Sequence, residues 1–215
     1  MLDDARLAGL CVRLLGERPA AVLFRAGHLS EVAGVQLADG TAAVIKIRPA
    51  ASRIAGCTAV QAHLARAGFP CPAPLAGPTA AGDDLMVTAE ALIPGGSQLP
   101  AAHGAAPYAG LLAWCIRSAP VVAQPEAAIV GLAAAVWPAG GGASHAAAVA
   151  QSADFIASYQ AAAGCQWSEA DVQAAWAAGL WVRLFNAKKD AAFGDFPELG
   201  QLAGEIDERL SLASL

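Results

Sequence analysis

The chain has 215 residues, enough to bury one good core or two small ones. A net charge of −5 without any Lys/Arg cluster argues against a nucleic-acid partner. Apolar residues make up 56% of the chain, but many are alanine, and proline and glycine interrupt the longest uncharged stretch, residues 127–144. Because a bilayer span needs a continuous bulky apolar run, we expect no contact with a membrane.

The first residues of the sequence and the number and spacing of its cysteines bear on the cellular compartment of the protein. Asp3 and Asp4 stand where a signal peptide carries basic residues, and no long apolar run follows them. The five cysteines are odd in number and never form a C-x-x-C pair, so neither a disulfide framework nor a zinc site is expected. We therefore expect a cytoplasmic protein.

Residues 21–48 have the alternation of polar and apolar side chains that is typical of strands. The pattern predicts three strands over residues 21–24, 32–37 and 42–47. The dipeptide Asp39-Gly40 separates the last two and is a strong signal for a hairpin turn.

The apolar period then changes from two to between three and four, which predicts a helix over residues 52–67. Ser52 is the expected N-cap, and Gly68 is expected to end the helix in a left-handed conformation. Three alternate prolines at 70–74 make a stiff connector. Strands are predicted again over 75–79 and 84–92, which gives the order β-β-β-α-β-β.

Beyond Gly96 the sequence predicts helices throughout. The expected segments are 105–118, 126–137, 144–163, 168–189 and 198–213. A capping box from Ser168 to Asp171 begins the fourth segment, and Trp176, Leu180 and Leu184 mark one apolar stripe along it. The fold class is therefore α+β, with a mixed lobe at residues 1–98 and a helical lobe at residues 99–215.

Three segments carry a resemblance to a known family. They are residues 40–46 (GTAAVIK), residues 68–75 (GFPCPAPL) and residues 87–96 (VTAEALIPGG), with the predicted helix between the first two. In order and spacing, residues 20–98 resemble the aminoglycoside-phosphotransferase (choline-kinase-like) family. The later segments 125–131, 155–159 and 186–188 look like its terminal helices. The resemblance implies a protein-kinase-like fold, with a five-stranded antiparallel sheet and one helix followed by a helical lobe.

The resemblance also implies a nucleotide site. Lys46 matches the strand-three lysine that holds the α- and β-phosphates of ATP. The turn from Gly27 to Ser30 occupies the place of the phosphate-covering turn, and residues 88–92 match the strand that meets adenine through its backbone. The residues so assigned to a nucleotide are Lys46, Gly27, Ser30, Glu90, Ala91 and Leu92.

The catalytic loop of that family has the form H-x-D-x-x-x-x-N, and the sequence lacks it. The chain has a single asparagine, Asn186, and its fifth predecessor is Trp181 rather than aspartate. None of the four histidines is followed by aspartate two positions later. The sequence therefore assigns no catalytic residue.

The acidic partners that phosphoryl transfer needs are missing as well. No acidic residue lies between Lys46 and Asp83, so the predicted helix cannot supply the glutamate that orients the lysine, and Gln61 offers only a neutral hydrogen bond. Asp154 lies in a helical stretch and is interpreted as a solvated residue rather than a metal ligand. No metal ligand is assigned, and Mg²⁺ is not expected.

Aligning both matched regions with the family pattern leaves a gap near residues 116–125, where about half a domain is missing. Three hypotheses follow. The chain is a catalytically disabled member that binds nucleotide weakly or serves as an interaction module. Alternatively, it is a working phosphotransferase for a small hydroxylated acceptor, with acids recruited from Glu90, Glu126 or Asp154. As a third alternative, it is a gene remnant whose shortened lobe folds poorly or forms a homodimer to cover exposed apolar surface.

Overall fold

The computed structural model describes residues 2–27, 30–82, 84–93, 104–118, 125–137, 146–193 and 197–215. The chain divides into two compact units, Met1–Gly96 and Ser97–Leu215. In the described residues, the first unit contains the sheet and two helices, and the elements of the second unit are all helices. The predicted α+β class is confirmed.

The first unit is built on a five-stranded sheet in which every neighbouring pair is antiparallel. The strand order is β1-β2-β3-β5-β4. The strands are β1 (Pro19–Gly27), β2 (Glu31–Leu37), β3 (Ala42–Pro49), β4 (Pro74–Ala80) and β5 (Leu85–Ala91). All five lie where the sequence predicts them. Gly40 has a φ of 88° in the turn between β2 and β3, and the Asp39 carboxylate accepts hydrogen bonds from the backbone and hydroxyl of Thr41.

The helix α1 (Asp4–Leu15) was not predicted from the sequence. Asp3 caps it by accepting a hydrogen bond from the Arg6 backbone N–H at 2.7 Å, and Gly16 ends it in a left-handed conformation. Its buried Leu7 and Cys11 pack in one cluster with the strand residues of the sheet. The signal was present in the sequence, because a capping aspartate and a left-handed glycine bracket a segment of helical length.

The helix α2 (Arg53–Arg66) lies between β3 and β4, as the resemblance implies. Gly68 follows it with a φ of 80°, so the predicted left-handed end is confirmed. The prediction that Ser52 caps the start is wrong, because its side chain makes no capping hydrogen bond. Ser52 already has helical backbone angles, whereas a capping side chain needs an extended residue to reach the first free N–H groups.

The second unit consists of five described helices. They are α3 (Ala106–Ser118), α4 (Glu126–Val136), α5 (Val149–Ala163), α6 (Glu169–Phe193) and α7 (Pro197–Leu212). The predicted capping box is confirmed at α6, where Ser168 and Asp171 hydrogen-bond each other reciprocally. No helix in the described ranges is long and apolar enough to cross a membrane. The gap inferred near residues 116–125 falls largely on residues 119–124, outside the described ones.

The start of α5 was predicted too early. Residues 144 and 145 lie outside the described ranges, and residues 146–148 are not helical. The Ala147 carbonyl instead accepts hydrogen bonds from the guanidinium groups of Arg183, at 2.8 Å, and Arg209, at 2.6 Å. Both arginines are fully buried, and Glu205 forms an ion pair with Arg209 at 2.8 Å. The Ala147 carbonyl oxygen therefore serves as a hydrogen-bond acceptor for two buried guanidinium groups.

Alanine and glycine bring α4 and α6 into close contact. A Cβ atom at Gly131 would stand 2.0 Å from the Ala175 carbonyl oxygen, so only glycine fits there. The large side chains Phe155, Tyr159 and Trp176 fill the core of the same unit. Small residues thus set the spacing of α4 and α6, and a few aromatic side chains fill the space beside them.

Candidate functional site

The strand β3 places Lys46 on the side of the sheet opposite α1. Ile45 and Ile47 are buried in the cluster that contains α1, and the alternation of the strand turns Lys46 to the other side. Lys46 lies directly opposite Thr88 of β5 and Val32 of β2. We call this side, which carries Val44, Lys46 and Arg48 of β3, the lysine face.

Lys46 forms an ion pair with Glu90 on the lysine face. Glu90 belongs to β5 and pairs in register with Val44, so the two charged groups lie diagonally across neighbouring strands. The Lys46 side chain is 32% exposed, whereas the Glu90 side chain is only 9% exposed. The carboxylate therefore depends on protein partners, while part of the lysine side chain is in contact with solvent.

The helix α2 contributes to this pair through Gln61. The Gln61 side-chain amide donates to Glu90 Oε2 at 3.1 Å and to the Pro72 carbonyl oxygen at 2.7 Å. Gln61 was expected to offer a neutral hydrogen bond in place of the helix glutamate that orients Lys46, but its amide donates to the Glu90 carboxylate, so this bond is charge-assisted. The carboxylate that partners the lysine comes from β5 and not from α2, and the helix holds that carboxylate through an amide. Sequence reasoning assigned Glu90 to adenine contact and did not predict this pair.

Arg48 brings a second cation to the lysine face, two positions after Lys46 on β3. Its Nη2 atom donates to the Thr88 hydroxyl at 3.1 Å. Its Nε atom is buried, and the described residues provide it with no hydrogen-bond acceptor. Sequence reasoning missed Arg48, although the Lys-x-Arg spacing on a strand was the signal that could have found it.

An aromatic ring lies on the same face. Phe24 of β1 pairs in register with Gly34 of β2, which in turn pairs with Val44. The Phe24 ring lies over Gly34, because its atoms stand 2.2 to 2.8 Å from where a Cβ at Gly34 would be. Phe24 is 40% exposed, so the ring offers open apolar surface beside Val44. This residue was also missed.

Gly27 and Ser30 flank the turn between β1 and β2. Glu31 pairs with both Gly27 and Ile47, so this turn leaves the sheet one position beyond Lys46. His28 and Leu29, which complete the predicted phosphate-covering turn, lie outside the described residues. Gly27 and Ser30 line a cavity of about 720 Å³ together with Arg6 of α1 and Arg48, and neither Lys46 nor Glu90 is among its described lining residues.

The backbone of Ala91 and Leu92 is already hydrogen-bonded. The Ala91 N–H donates to the Ala73 carbonyl oxygen at 2.8 Å, and the Leu92 N–H donates to the Ala42 carbonyl oxygen at 3.0 Å. These two amides could bind an adenine base only if the existing bonds were broken. β5 thus lies beside Lys46, but the N–H groups of Ala91 and Leu92 at its end are already used in hydrogen bonds within the protein.

The remaining candidate acids lie in the second unit. The Tyr159 hydroxyl donates to Glu126 at 2.8 Å. Burial raises the pKa of Tyr159 above its ordinary value, and the hydrogen bond to Glu126 adds to the shift. Asp154 is exposed on α5. Among the described residues, no three of His, Cys, Asp and Glu come together in a group that could hold a metal.

Comparison with known proteins gives one structural similarity. No protein-family model and no curated protein matches the chain. Among solved structures, the chain is similar to a crystal structure from Thermobifida fusca YX-ER1 assigned as a fructosamine-3-kinase, with 25% sequence identity and a TM-score of 0.37. The match covers 51% of this chain and 38% of that one, so the chain spans well under half the length of its neighbour.

Proposed function

We propose that this chain is a kinase-like phosphotransferase relative that binds ATP weakly on its lysine face, in the cytoplasm, without transferring the phosphoryl group. The observation that carries the proposal is the Lys46–Glu90 ion pair, held from α2 by Gln61. In kinases, a lysine on the third strand must pair with a carboxylate before it can hold the nucleotide phosphates. This chain keeps the pair with the acid moved to the neighbouring strand.

The phosphates would bind to the cations of the lysine face. An ammonium group has three N–H donors, and a Lys46 side chain that is 32% exposed can direct some of them away from Glu90. Arg48 adds a guanidinium whose buried Nε still lacks an acceptor among the described residues. Charge-assisted bonds to phosphate are about twice as strong as neutral ones. The turn flanked by Gly27 and Ser30 is proposed to cover the phosphates.

The base would bind through its flat surface. Phe24 exposes a ring on the lysine face, and an aromatic base can pack against it. The N–H groups of Ala91 and Leu92 are already hydrogen-bonded to the Ala73 and Ala42 carbonyl oxygens, so they do not donate to the polar edge of a base. A site discriminates strongly between similar ligands only when it forms hydrogen bonds with the groups that differ. We therefore expect ATP and GTP to bind with affinities that differ by less than about tenfold.

Phosphoryl transfer would fail because the sequence lacks the groups that perform it. No H-x-D-x-x-x-x-N loop is present, and so no general base is supplied by that motif. Loss of a general base alone costs about 10²- to 10⁴-fold in rate. The acids invoked by the alternative hypothesis have other partners or stand alone, since Glu90 pairs with Lys46 and Tyr159 donates to Glu126. We propose nucleotide binding that does not require Mg²⁺.

Thermal unfolding with ATP, with and without Mg²⁺, tests the binding step. A ligand at 100 times its Kd stabilises the native state by about 2.7 kcal/mol, which raises the midpoint measurably. We expect the ATP-induced shift in the wild type to disappear in Lys46→Met and to persist in the control Arg53→Met, because Arg53 is exposed at the start of α2. An absent shift in the wild type, or an equal shift in Lys46→Met, would refute nucleotide binding at this face.

Product formation tests the loss of transfer. The wild type is incubated with labelled ATP, Mg²⁺ and a panel of aminoglycosides, macrolides and amino alcohols, and phosphorylated product is measured. We expect none above the uncatalysed background. Rapid product formation that depends on Lys46 would instead establish the active-enzyme hypothesis, while the thermal shift would still report whether ATP binds.

A further inference from the structure

The outer face of α6 exposes large apolar side chains. Trp181 is 62% exposed, Leu184 48% and Phe185 55%. The rings of Trp181 and Phe185 stack on each other, with centroids 5.6 Å apart and planes inclined by 15°. Leu184 belongs to the predicted apolar stripe of Trp176, Leu180 and Leu184, but only Trp176 and Leu180 of that stripe are buried. A cluster of this kind on a helix surface is a feature of interaction sites.

The exposed face of α6 has a coiled-coil repeat. Starting at Ala170, its positions advance in alternating steps of four and three residues, which is the spacing of a heptad seam. They are Ala170, Ala174, Ala177, Trp181, Leu184 and Lys188. The opposite side of α6 packs on α4 near Ala175 and on α7 near Ala187. The helix therefore presents a second seam, which is exposed at every position except Ala177, where the side chain is half-buried against the core of the unit.

The side chains of the seam increase in size from its amino-terminal to its carboxyl-terminal half. Its amino-terminal half is alanine, and its carboxyl-terminal half carries Trp181 and Leu184 with Phe185 beside them. Consider an antiparallel second copy, related by a two-fold axis that crosses the seam at the level of Gly179. It would place Trp181 against Ala177 and Leu184 against Ala174. Large side chains would then fill the space left by small ones, as close packing requires. A parallel copy would place tryptophan against tryptophan.

The charges at the two ends of the seam also match. In the antiparallel arrangement, Lys188 meets the first turn of the other helix, which carries the exposed carboxylates of Glu169 and Asp171. In a parallel arrangement, Lys188 would face Lys188. Size and charge are thus both self-complementary in one orientation. We propose that two copies of this chain associate through antiparallel pairing of α6.

The expected association is weak. The seam from 170 to 188 is ~27 Å long and ~10 Å wide by helix geometry, which is on the order of 300 Å² for each copy. A stable interface buries about 800 Å² for each partner. We therefore expect a dissociation constant on the order of 10⁻⁵ to 10⁻⁴ M, so the dimer forms at high protein concentration.

Thiol cross-linking tests the orientation. The exposed Cys57 and Cys165 are first replaced by serine, and this background protein is the control for the remaining cysteines. Across the proposed axis, two copies of residue 178 lie ~3 Å apart along the helix, whereas two copies of residue 170 lie ~27 Å apart. A short bismaleimide should therefore link Ala178→Cys to itself and leave Ala170→Cys monomeric. Cross-linking of both variants, or of neither, overturns the antiparallel pair.

Sedimentation velocity up to a few hundred micromolar tests the association itself. The wild type should shift from monomer to dimer as its concentration rises. Trp181→Gln should stay monomeric, and Leu199→Gln should dimerise like the wild type, because Leu199 is an exposed apolar residue of α7 away from the seam. Circular dichroism checks that both variants keep their helices. A wild type that stays monomeric, or a Trp181→Gln protein that dimerises unchanged, overturns the proposal.

Discussion

Removal of the two members of the Lys46–Glu90 pair should destabilise the protein unequally. Lys46→Met keeps the aliphatic stem of the lysine but leaves the Glu90 carboxylate 9% exposed, with Gln61 as its remaining donor. Glu90→Gln leaves an ammonium on a side chain that is 32% exposed and can turn to water. The lysine variant should therefore be the less stable one, although both lose the same ion pair.

The exposed fractions of the Lys46 and Glu90 side chains set the size of the expected difference in stability between the two variants. Breaking a fully buried ion pair by removing one partner costs about 3 to 5 kcal/mol. Because about a third of the Lys46 side chain is exposed and Gln61 still donates to Glu90, we reduce the expected cost of Lys46→Met to about 2 kcal/mol. For Glu90→Gln we expect about 1 kcal/mol, since the freed ammonium is hydrated.

Urea unfolding of the wild type, both single variants and the double variant measures these costs as a double-mutant cycle. The double variant Lys46→Met/Glu90→Gln should be more stable than Lys46→Met alone, because it contains no unpaired buried charge. If Glu90→Gln proved costlier than Lys46→Met, or if the two costs simply added, the reasoning from exposure would be wrong.

Three further predictions concern stability and thiol reactivity. The raised pKa of Tyr159 keeps its folded phenol protonated while the unfolded phenol ionises, so stability falls above about pH 10 by up to ~1.4 kcal/mol per pH unit, and urea unfolding of Tyr159→Phe should show a shallower fall. Glu205→Ala should cost about 3 kcal/mol in urea unfolding by leaving the buried Arg209 without its carboxylate. Since burial also raises the pKa of Cys11, iodoacetamide should modify the exposed Cys57 first, as peptide mapping would show.

The sequence predicted the sheet well because its signals are local. The alternation in residues 42–47 fixes which side chains of β3 face α1, and Gly68 ends α2 where a left-handed residue is needed. The helix α1 was missed although Asp3 and Gly16 marked both ends. The early start predicted for α5 ignored Ala147, whose carbonyl binds arginines that are 36 and 62 residues away in the chain. Such long-range hydrogen bonds leave no local pattern.

The candidate site was predicted residue by residue but not as an arrangement. Lys46 could be found from its strand and its neighbours, and the absence of an acid from α2 could be read directly. That Glu90 supplies the missing carboxylate depends on the antiparallel register of β3 and β5, which places the two groups diagonally across the strands. Local sequence does not determine pairing between two strands that have a helix and another strand between them in the chain. The exposure of Leu184 was missed for a related reason, since the burial of a helix side chain is set by the neighbouring helices.

The Lys46–Glu90 pair stabilises the sheet whether or not a nucleotide binds, so the presence of Lys46 alone does not separate a ligand site from a structural pair. Arg48 separates the two roles. Its loss removes one hydrogen bond to Thr88 but also removes a buried Nε that lacks an acceptor among the described residues, so Arg48→Met should change the free energy of unfolding by less than about 1 kcal/mol.

If the lysine face binds phosphate, the same variant loses a charge-assisted bond to the nucleotide and should weaken ATP binding about tenfold, which isothermal titration calorimetry would measure. The matched control is Arg53→Met, an exposed arginine at the start of α2. A stable Arg48→Met protein with unchanged ATP affinity would show that phosphate does not reach this part of the face. Lys46 would then be explained by the stability of the sheet alone, because a carboxylate as buried as that of Glu90 requires a cation beside it.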